Sequence, residues 1–362
     1  MSFQQQLIVF ISAFASGDEG GAIRAYSFDP QAGRLVHMQD ANDIENPFFL
    51  AVSPNRQHLY AVHATKFGGD ESEAVKSYRI GPGGQLTSLN VKPTRGTASC
   101  YLDVDATGKT LVAANYSSGS VVALPVLENG QLGDPSSFIQ HAGNSVNPSR
   151  QDAPHAHCSV ISPDNRFVFV ADLGLDQILT YQLDPAAAKL TPGFQPFVRT
   201  EAGTGPRHLT FHPNGQWLYV INEIGNTVTR YDYESKRGIL VERQTISTVP
   251  KGFSGVSHTA DVKVTPNGRF LYGTNRGHDS IACYRIDDDG ELALLEIVPS
   301  GGKGPQNLAI TPGGECLICA NMPGHNVVVF RIDGEHGTLT ELGSPESVIS
   351  PACIMILKPV SP

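Results

Sequence analysis

Between Gly205 and Tyr233 the chain reads GPRHLTFHPNGQWLYVINEIGNTVTRYDY, and its apolar residues fall into short runs separated by turn residues. A first run leads into HPNG, a second, WLYVIN, into a Gly-containing turn, and a third is TVTRYDY. The next segment, ILVERQTIST, alternates weakly and reads as an outer fourth strand. Val, Ile, Tyr and Phe fill the runs because branched and aromatic side chains suit a pleated, half-buried surface. Pro, Asn, Asp and Gly fill the turns, where their backbone preferences are needed. The pattern predicts a four-stranded antiparallel meander, and no long segment of the chain has a helical period.

The same pattern recurs. It appears as PHAHCSVISPDNRFVFVADLGLDQILTYQLD from Pro154, as SHTADVKVTPNGRFLYGTNRGHDSIACYRID from Ser257 and as GPQNLAITPGGECLICANMPGHNVVVFRID from Gly304, with weaker copies from Asn46 and Thr97. Pro54, Ala106, Pro163, Pro213, Pro266 and Pro312 hold one place in the six copies, at gaps of 52, 57, 50, 53 and 46 residues. A repeat of this size marks a radial β array. The N-terminal run LIVFISAF and the strand Ala22–Asp29 look like later strands of a blade that lacks its first, and PACIMIL, Pro351–Leu357, looks like that missing strand. Pairing the two ends removes two exposed sheet edges at once. The expected fold is therefore all-β: a seven-bladed β-propeller with four-stranded antiparallel blades, its ring closed by the N- and C-terminal strands. A chain of 362 residues would ordinarily suggest two domains. Each copy needs its neighbours to bury its faces, so residues 1–362 are expected to form one propeller domain.

Composition narrows the function classes. The 37 Gly and 25 Pro fit a fold built from many turns, and only 17% of residues are charged. The net charge of −9, with no basic stripe and no aromatics clustered with Lys or Arg, argues against nucleic acid as a partner. Nothing reaches transmembrane length, so no membrane partner is expected. LIVFISAFASG resembles the apolar core of a signal peptide, but MSFQQQ lacks the basic residues that should precede one, and the run already serves as a blade strand. Cys316 and Cys319 form a CLIC tetrapeptide that invites a redox or zinc reading. Positions three apart in a strand face opposite ways, so these are expected to be two unrelated thiols. Scattered strand cysteines fit a reducing, cytoplasmic setting and a monomer or weak homo-oligomer.

The hairpin of strands one and two puts the start of strand one and the end of strand two at one rim. Strand one is innermost, so its first residues face the central channel. Its starts offer His155, His157, Arg207, His258 and Gln306; the ends of strand two offer Asn115–Tyr116, Asp172, Asn222–Glu223, Asn275–Arg276 and Asn321. The opposite rim carries the repetitive SPN, HPNG and TPNG turns, so the variable, charged mouth is the place for chemistry. Arg207 stands where neighbouring copies have Ala or Gln and Arg276 where another copy has Leu or Met, and two guanidiniums at one mouth suggest an anionic ligand. Glu223 beside them stays ionised and is placed to position water or take its proton. His155 and His157 lie two apart on one strand face; His157, beginning the inner strand proper, is the preferred catalytic histidine. That spacing also suits a metal, yet no third ligand of comparable clarity and no acidic cluster accompanies it, so no metal or cofactor is expected. His58, His208 and His212, near turns, read as structural. His258 and His278 are candidates to line the mouth, while Asp172 and Asp176 read as turn braces. Asn222, Asn275, His155, His258 and Gln306 are expected to bind substrate.

PHAH, DLGLDQI, GPRHL, the Asn-Glu after strand two and NRGHDS resemble the signatures of the lactonase family of seven-bladed propellers, which includes 6-phosphogluconolactonases of a bacterial type and the fungal carboxy-cis,cis-muconate cyclase. The likeness covers nearly the whole chain. It implies a catalytic set of a histidine, two arginines and a glutamate, matching a PHAH histidine (His155 or His157), Arg207, Arg276 and Glu223. It implies hydrolysis of 6-phospho-D-glucono-1,5-lactone to 6-phosphogluconate, in the pentose phosphate pathway. One arginine would hold the phosphate and the other the developing oxyanion, with His157 as base and Glu223 as its orienting partner, or with Glu223 as base. A lactonizing cyclase or a lactonase for another anionic lactone is the alternative, and a non-catalytic binding or scaffold propeller the second. GxSxG, HExxH and P-loop motifs are absent from the sequence.

Overall fold

A computed structural model describes residues 7–358. They form seven four-stranded antiparallel sheets arranged as the blades of a propeller. The innermost strands of the first six blades are Leu50–Val52, Ser99–Val104, Ala156–Ile161, Pro206–Phe211, His258–Val264 and Pro305–Ile310. The seventh blade is composite: Pro351–Leu357 is its innermost strand, followed outward by Leu7–Ala13, Ala22–Asp29 and Arg34–Ala41. Ile8 pairs with Leu357 and Ser12 with Cys353, which closes the ring as the strand count predicts. The run weighed as a signal-peptide core begins with the blade strand Leu7–Ala13, and Met1–Gln6 before it lies outside the described residues. No helix among the described residues is long and apolar enough to cross a membrane.

The turn chemistry explains the regular blades. Thr265 Oγ1 accepts from the Phe270 amide and donates to Asn267, tying off the TPNG turn. Gly268 in that turn has φ +75°, and a Cβ there would lie 2.4 Å from the His212 ring of the preceding blade. His212 thus packs against the next turn, its Nε2 2.8 Å from the Gly268 carbonyl. Between blades the strands bury aromatic clusters such as Phe169, Phe211 and Tyr233. Such contacts add about 0.5–1.5 kcal/mol per pair beyond area burial. All six cysteines are buried and free. Cys316 and Cys319 pack into different core clusters, as their opposite strand faces require.

One irregularity positions the site. In the second, third, fourth and sixth blades the register of the inner strand slips between Ser99 and Tyr101, Ala156 and Cys158, Pro206 and His208, and Pro305 and Asn307. Each slip leaves one residue without a partner: Cys100, His157, Arg207 and Gln306. A bulge of this kind inserts an extra residue and re-aims its side chain. The fifth blade slips between Thr259 and Val262. The ring therefore repeats one device at one rim.

Candidate active site

The four bulged residues line a single cavity of about 710 Å³ at the mouth of the channel. Glu223, in the turn after strand two of the fourth blade, stands among them, its amide donating to the Gly205 carbonyl at 2.7 Å. Arg276 ends strand two of the fifth blade opposite His258, and both reach the same cavity. Arg150 enters from the loop between the second and third blades. Phe48, Phe67, Val256, Met322 and Pro323 supply an apolar wall.

Glu223 is the hub. Its Oε2 lies 2.9 Å from Arg207 Nε and 2.8 Å from Arg276 Nη2, and its Oε1 lies 2.5 Å from Arg150 Nη2. Burial alone would raise its pKa, but Arg276, Arg207, His157 and Arg150 reverse that and hold it well below the usual carboxylate range. Arg207 is only 1% exposed. Its Nη1 also donates to the Ala260 carbonyl and lies 3.1 Å from His208 Nε2. Burial, with the Arg276 charge beside it, pulls the guanidinium down to about 10, still charged at neutral pH. His208 in turn places Nδ1 2.8 Å from Asp261. The side chains of Arg276 and Arg150 are less enclosed, at 27% and 32% exposure.

His157 Nε2 is 4.0 Å from Glu223 Oε2. Burial, then Arg207 and His208, push its pKa well below the ordinary histidine value, so the imidazole is neutral and able to accept a proton. His258 is likewise lowered by burial. The cavity lining thus sets three arginines against two carboxylates, Glu223 and Asp279, in a chain of net charge −9. That local excess of positive charge suits a small anion. Among the described residues no group of three or more His, Cys, Asp or Glu is arranged to hold a metal ion.

The structure brings together His157, Arg207, Glu223, Arg276, His258 and Gln306. It does not bring in the other expected binding residues. His155 turns out of the cavity wall, stacking on Tyr116 at 4.5 Å with Nδ1 3.1 Å from the Tyr116 carbonyl. The bulge decides between the PHAH histidines in favour of His157. Asn222 is buried, its amide donating to Thr227 and Thr229, and Asn275 donates to the Thr248 carbonyl and Ser280. Asn222 joins strands of its own blade, Asn275 also ties its blade to the segment after the outer strand of the preceding one, and neither lines the cavity. His278 lies against Ser280 and Phe253 and is not part of the lining. His208 sits in the channel wall and not in a turn, where it supports Arg207. Asp172 and Asp176 brace loops as expected: Asp172 accepts from the His155 and Leu175 amides, Asp176 from those of Gly203 and Gly205.

Arg150 was not legible as a site residue, because it lies between repeats. Its one signal is the longest gap in the repeat, the 57 residues from Ala106 to Pro163. Inserted length in a periodic fold must emerge as loop, and loops at the charged mouth carry function.

Residues 8–356 match the family model described as "Lactonase, 7-bladed beta-propeller". A Bacillus subtilis 6-phosphogluconolactonase is 34% identical, the match covering 97% of this chain and 99% of the relative. A crystal structure from Bacteroides fragilis superposes with a TM-score of 0.91 at 31% identity, covering 99% of each chain. The Pseudomonas aeruginosa periplasmic gluconolactonase PpgL gives a TM-score of 0.88 at 29% identity, covering 97% of this chain and 99% of that one.

Proposed function

The chain belongs to the seven-bladed β-propeller lactonase family, and from that premise we propose that it hydrolyses 6-phospho-D-glucono-1,5-lactone to 6-phosphogluconate, as a cytoplasmic enzyme of the pentose phosphate pathway. One observation carries the reading: a neutral imidazole, His157, stands beside an ionised glutamate that three arginines surround, in a cavity sized for a small sugar-like anion. The six free thiols accord with a reducing compartment.

The chemistry follows from charge. Water attacks the lactone carbonyl carbon while His157 takes its proton. The imidazolium so formed lies beside the Glu223 carboxylate, whose charge favours it. Arg276, the more exposed of the two arginines on Oε2, faces the oxygen on which negative charge develops; a preorganised donor of this kind contributes about 3–4 kcal/mol. The tetrahedral intermediate then breaks its bond to the ring oxygen, which recovers the proton from His157, leaving the open hydroxy acid. Arg207 is too enclosed to grip substrate and acts as a clamp on Glu223.

The test is direct: purified protein is mixed with freshly made phosphogluconolactone, and ring opening is followed against the spontaneous rate. Equal rates would dismiss the assignment. The apolar wall of Phe48, Phe67, Val256, Met322 and Pro323 favours one second reading, a carboxylated lactone with fewer hydroxyl groups, hydrolysed or formed by ring closure. A substrate panel distinguishes the two.

A further inference from the structure

The two oxygens of Glu223 are dressed unequally. Oε2 is held by Arg207 and Arg276, and both of these have other anchors. Arg207 also binds the Ala260 carbonyl, and Arg276 binds the Thr259 carbonyl at 3.1 Å and Gln306 Oε1 at 3.4 Å. Oε1 meets Arg150. Arg150 comes from outside the blades, with Tyr116 beside its guanidinium, and about a third of its side chain is exposed to the cavity.

Its backbone, by contrast, is fixed. The adjacent Gln151 is fully buried. Gln151 donates from its side chain to the Leu173 carbonyl at 2.9 Å, and its Oε1 accepts from the Asn147 amide at 3.1 Å. The Gln151 amide donates to the Asn147 carbonyl at 2.8 Å, and the Ser145 amide to the Gln151 carbonyl at 2.9 Å. Arg150 is thus a long charged arm on a rigid pivot, resting on a carboxylate that has two better-anchored partners.

The geometry points to Arg150 as the specificity residue of this site: it leaves Glu223 Oε1 to grip the remote anionic group of the substrate, and its departure activates the His157–Glu223 pair. This rests on the lactone-hydrolase reading above. A guanidinium fork matches a phosphate or carboxylate at least as well as it matches Glu223. Once it has turned away, Glu223 is neutralised by two arginines instead of three, and its charge is freer to stabilise the imidazolium on His157. A lactone lacking the remote anion leaves Arg150 on Glu223 and meets a weaker base. Discrimination is therefore expressed in turnover as well as in binding, as expected when contacts to a non-reacting part of the substrate assist the reacting centre.

The experiment compares wild type with Arg150→Gln and Arg150→Lys on freshly made 6-phosphogluconolactone and on the unphosphorylated gluconolactone, each corrected for spontaneous opening. Thermal unfolding confirms that each variant is folded. Wild type is expected to prefer the phosphorylated lactone. Arg150→Gln is expected to lower the ratio of the two kcat/KM values by about 30-fold or more, with part of the change a higher kcat on the unphosphorylated lactone, and Arg150→Lys to restore part of it. Inorganic phosphate, used as a competitive probe, is expected to bind Arg150→Gln about tenfold more weakly. A wild type that opens both lactones without preference, or a ratio that changes less than about threefold in the variant, overturns the role of Arg150 and leaves the lactonase reading standing. A wild type inert on both lactones sinks the lactonase reading instead. Phosphate binding then decides the anion grip alone: a tenfold loss in Arg150→Gln supports it and equal binding refutes it.

Discussion

Replacing Glu223 by Gln tests the charge balance on which the site depends. The substitution keeps the shape and removes one negative charge. Arg207, 1% exposed, would then have only uncharged polar partners at neutral pH: the Ala260 carbonyl, His208 and the amide introduced at 223. Removing one member of a buried ion pair costs about 3–5 kcal/mol because the survivor is left uncompensated. Arg150 and Arg276 are partly exposed and add at most about 1 kcal/mol each. Arg207→Met should also destabilise, since it strips a partner from a buried carboxylate. The double variant carries neither buried charge, so its loss should be smaller than the sum of the two single losses. The expected coupling is about 2–4 kcal/mol, read from urea unfolding of all four proteins at pH 7. A second measurement sharpens the argument. With the Glu223 charge gone Arg150 and Arg276 are free to bind sulfate or phosphate, and an anion at 100 times its Kd stabilises by about 2.7 kcal/mol. Glu223→Gln should gain more from added phosphate than wild type does. Coupling below about 0.5 kcal/mol, together with equal phosphate stabilisation, would refute the picture of Glu223 as counter-ion to a buried guanidinium.

Other expectations follow from the same geometry. His157→Ala should slow lactone opening about 100-fold or more, while His155→Ala, outside the cavity, should stay within about threefold, measured as kcat on the phosphorylated lactone. Stability should fall as pH drops below about 6.5: His208, pulled down to about 3 by burial and Arg207, and His157, likewise lowered, are neutral when folded and take a proton when unfolded. Each histidine contributes a slope of about 1.4 kcal/mol per pH unit, so the unfolded chain binds more protons and is favoured by acid. Burial also lowers His58, His63 and His258, which add to the same slope, while Asp103, raised by burial to about 7, and Glu73, also raised, work in the opposite direction; urea midpoints should be lower at pH 5 than at pH 6, and His208→Gln should flatten the difference. Deleting Pro351–Leu357 should leave Leu7–Ala13 as an exposed apolar edge and give an aggregating chain by gel filtration; a folded monomer would show that ring closure is dispensable.

The fold was legible because it is written repeatedly. Turns such as HPNG and TPNG recur at one place in each copy, and each needs a left-handed residue that the sequence supplies, Gly215 and Gly268 among them. Ring closure was legible from an incomplete blade at each end of the chain. Arg207 was legible as a charge where neighbouring copies have neutral residues, and Glu223 and Arg276 as opposite charges at one place that is Tyr, Leu or Met in other copies. Asn222 and Asn275 were misread because a polar side chain at the rim has two uses that look alike in sequence. The Asn222 amide serves strands of its own blade, and that of Asn275 ties its blade to the end of the preceding one, a role repeated by Asn115 and Asn321, which bond to the Thr94 and Ser300 carbonyls. Recurrence in four of the seven blades was in fact a sign of structure, as recurrence was for the turns.

The sequence favoured His157 over His155 because it begins the inner strand proper, but strand alternation puts both on one face, and what separates them is geometric. Period-two alternation assigns a strand face only while the register runs unbroken. The inner strands break register at the mouth, and the residue left over at each slip is the one that enters the cavity. His157, Arg207 and Gln306 are all such residues, so the propeller obtains its site by repeating a backbone irregularity around the ring and varying only the side chain placed there. Cys100 occupies the corresponding position in the second blade, its Sγ 3.7 Å from His157 Nδ1. The cavity is therefore built from the residues left over where the inner strands slip, from Glu223 and Arg276 at the strand-two ends, and from the one arginine that the longest gap delivers between blades.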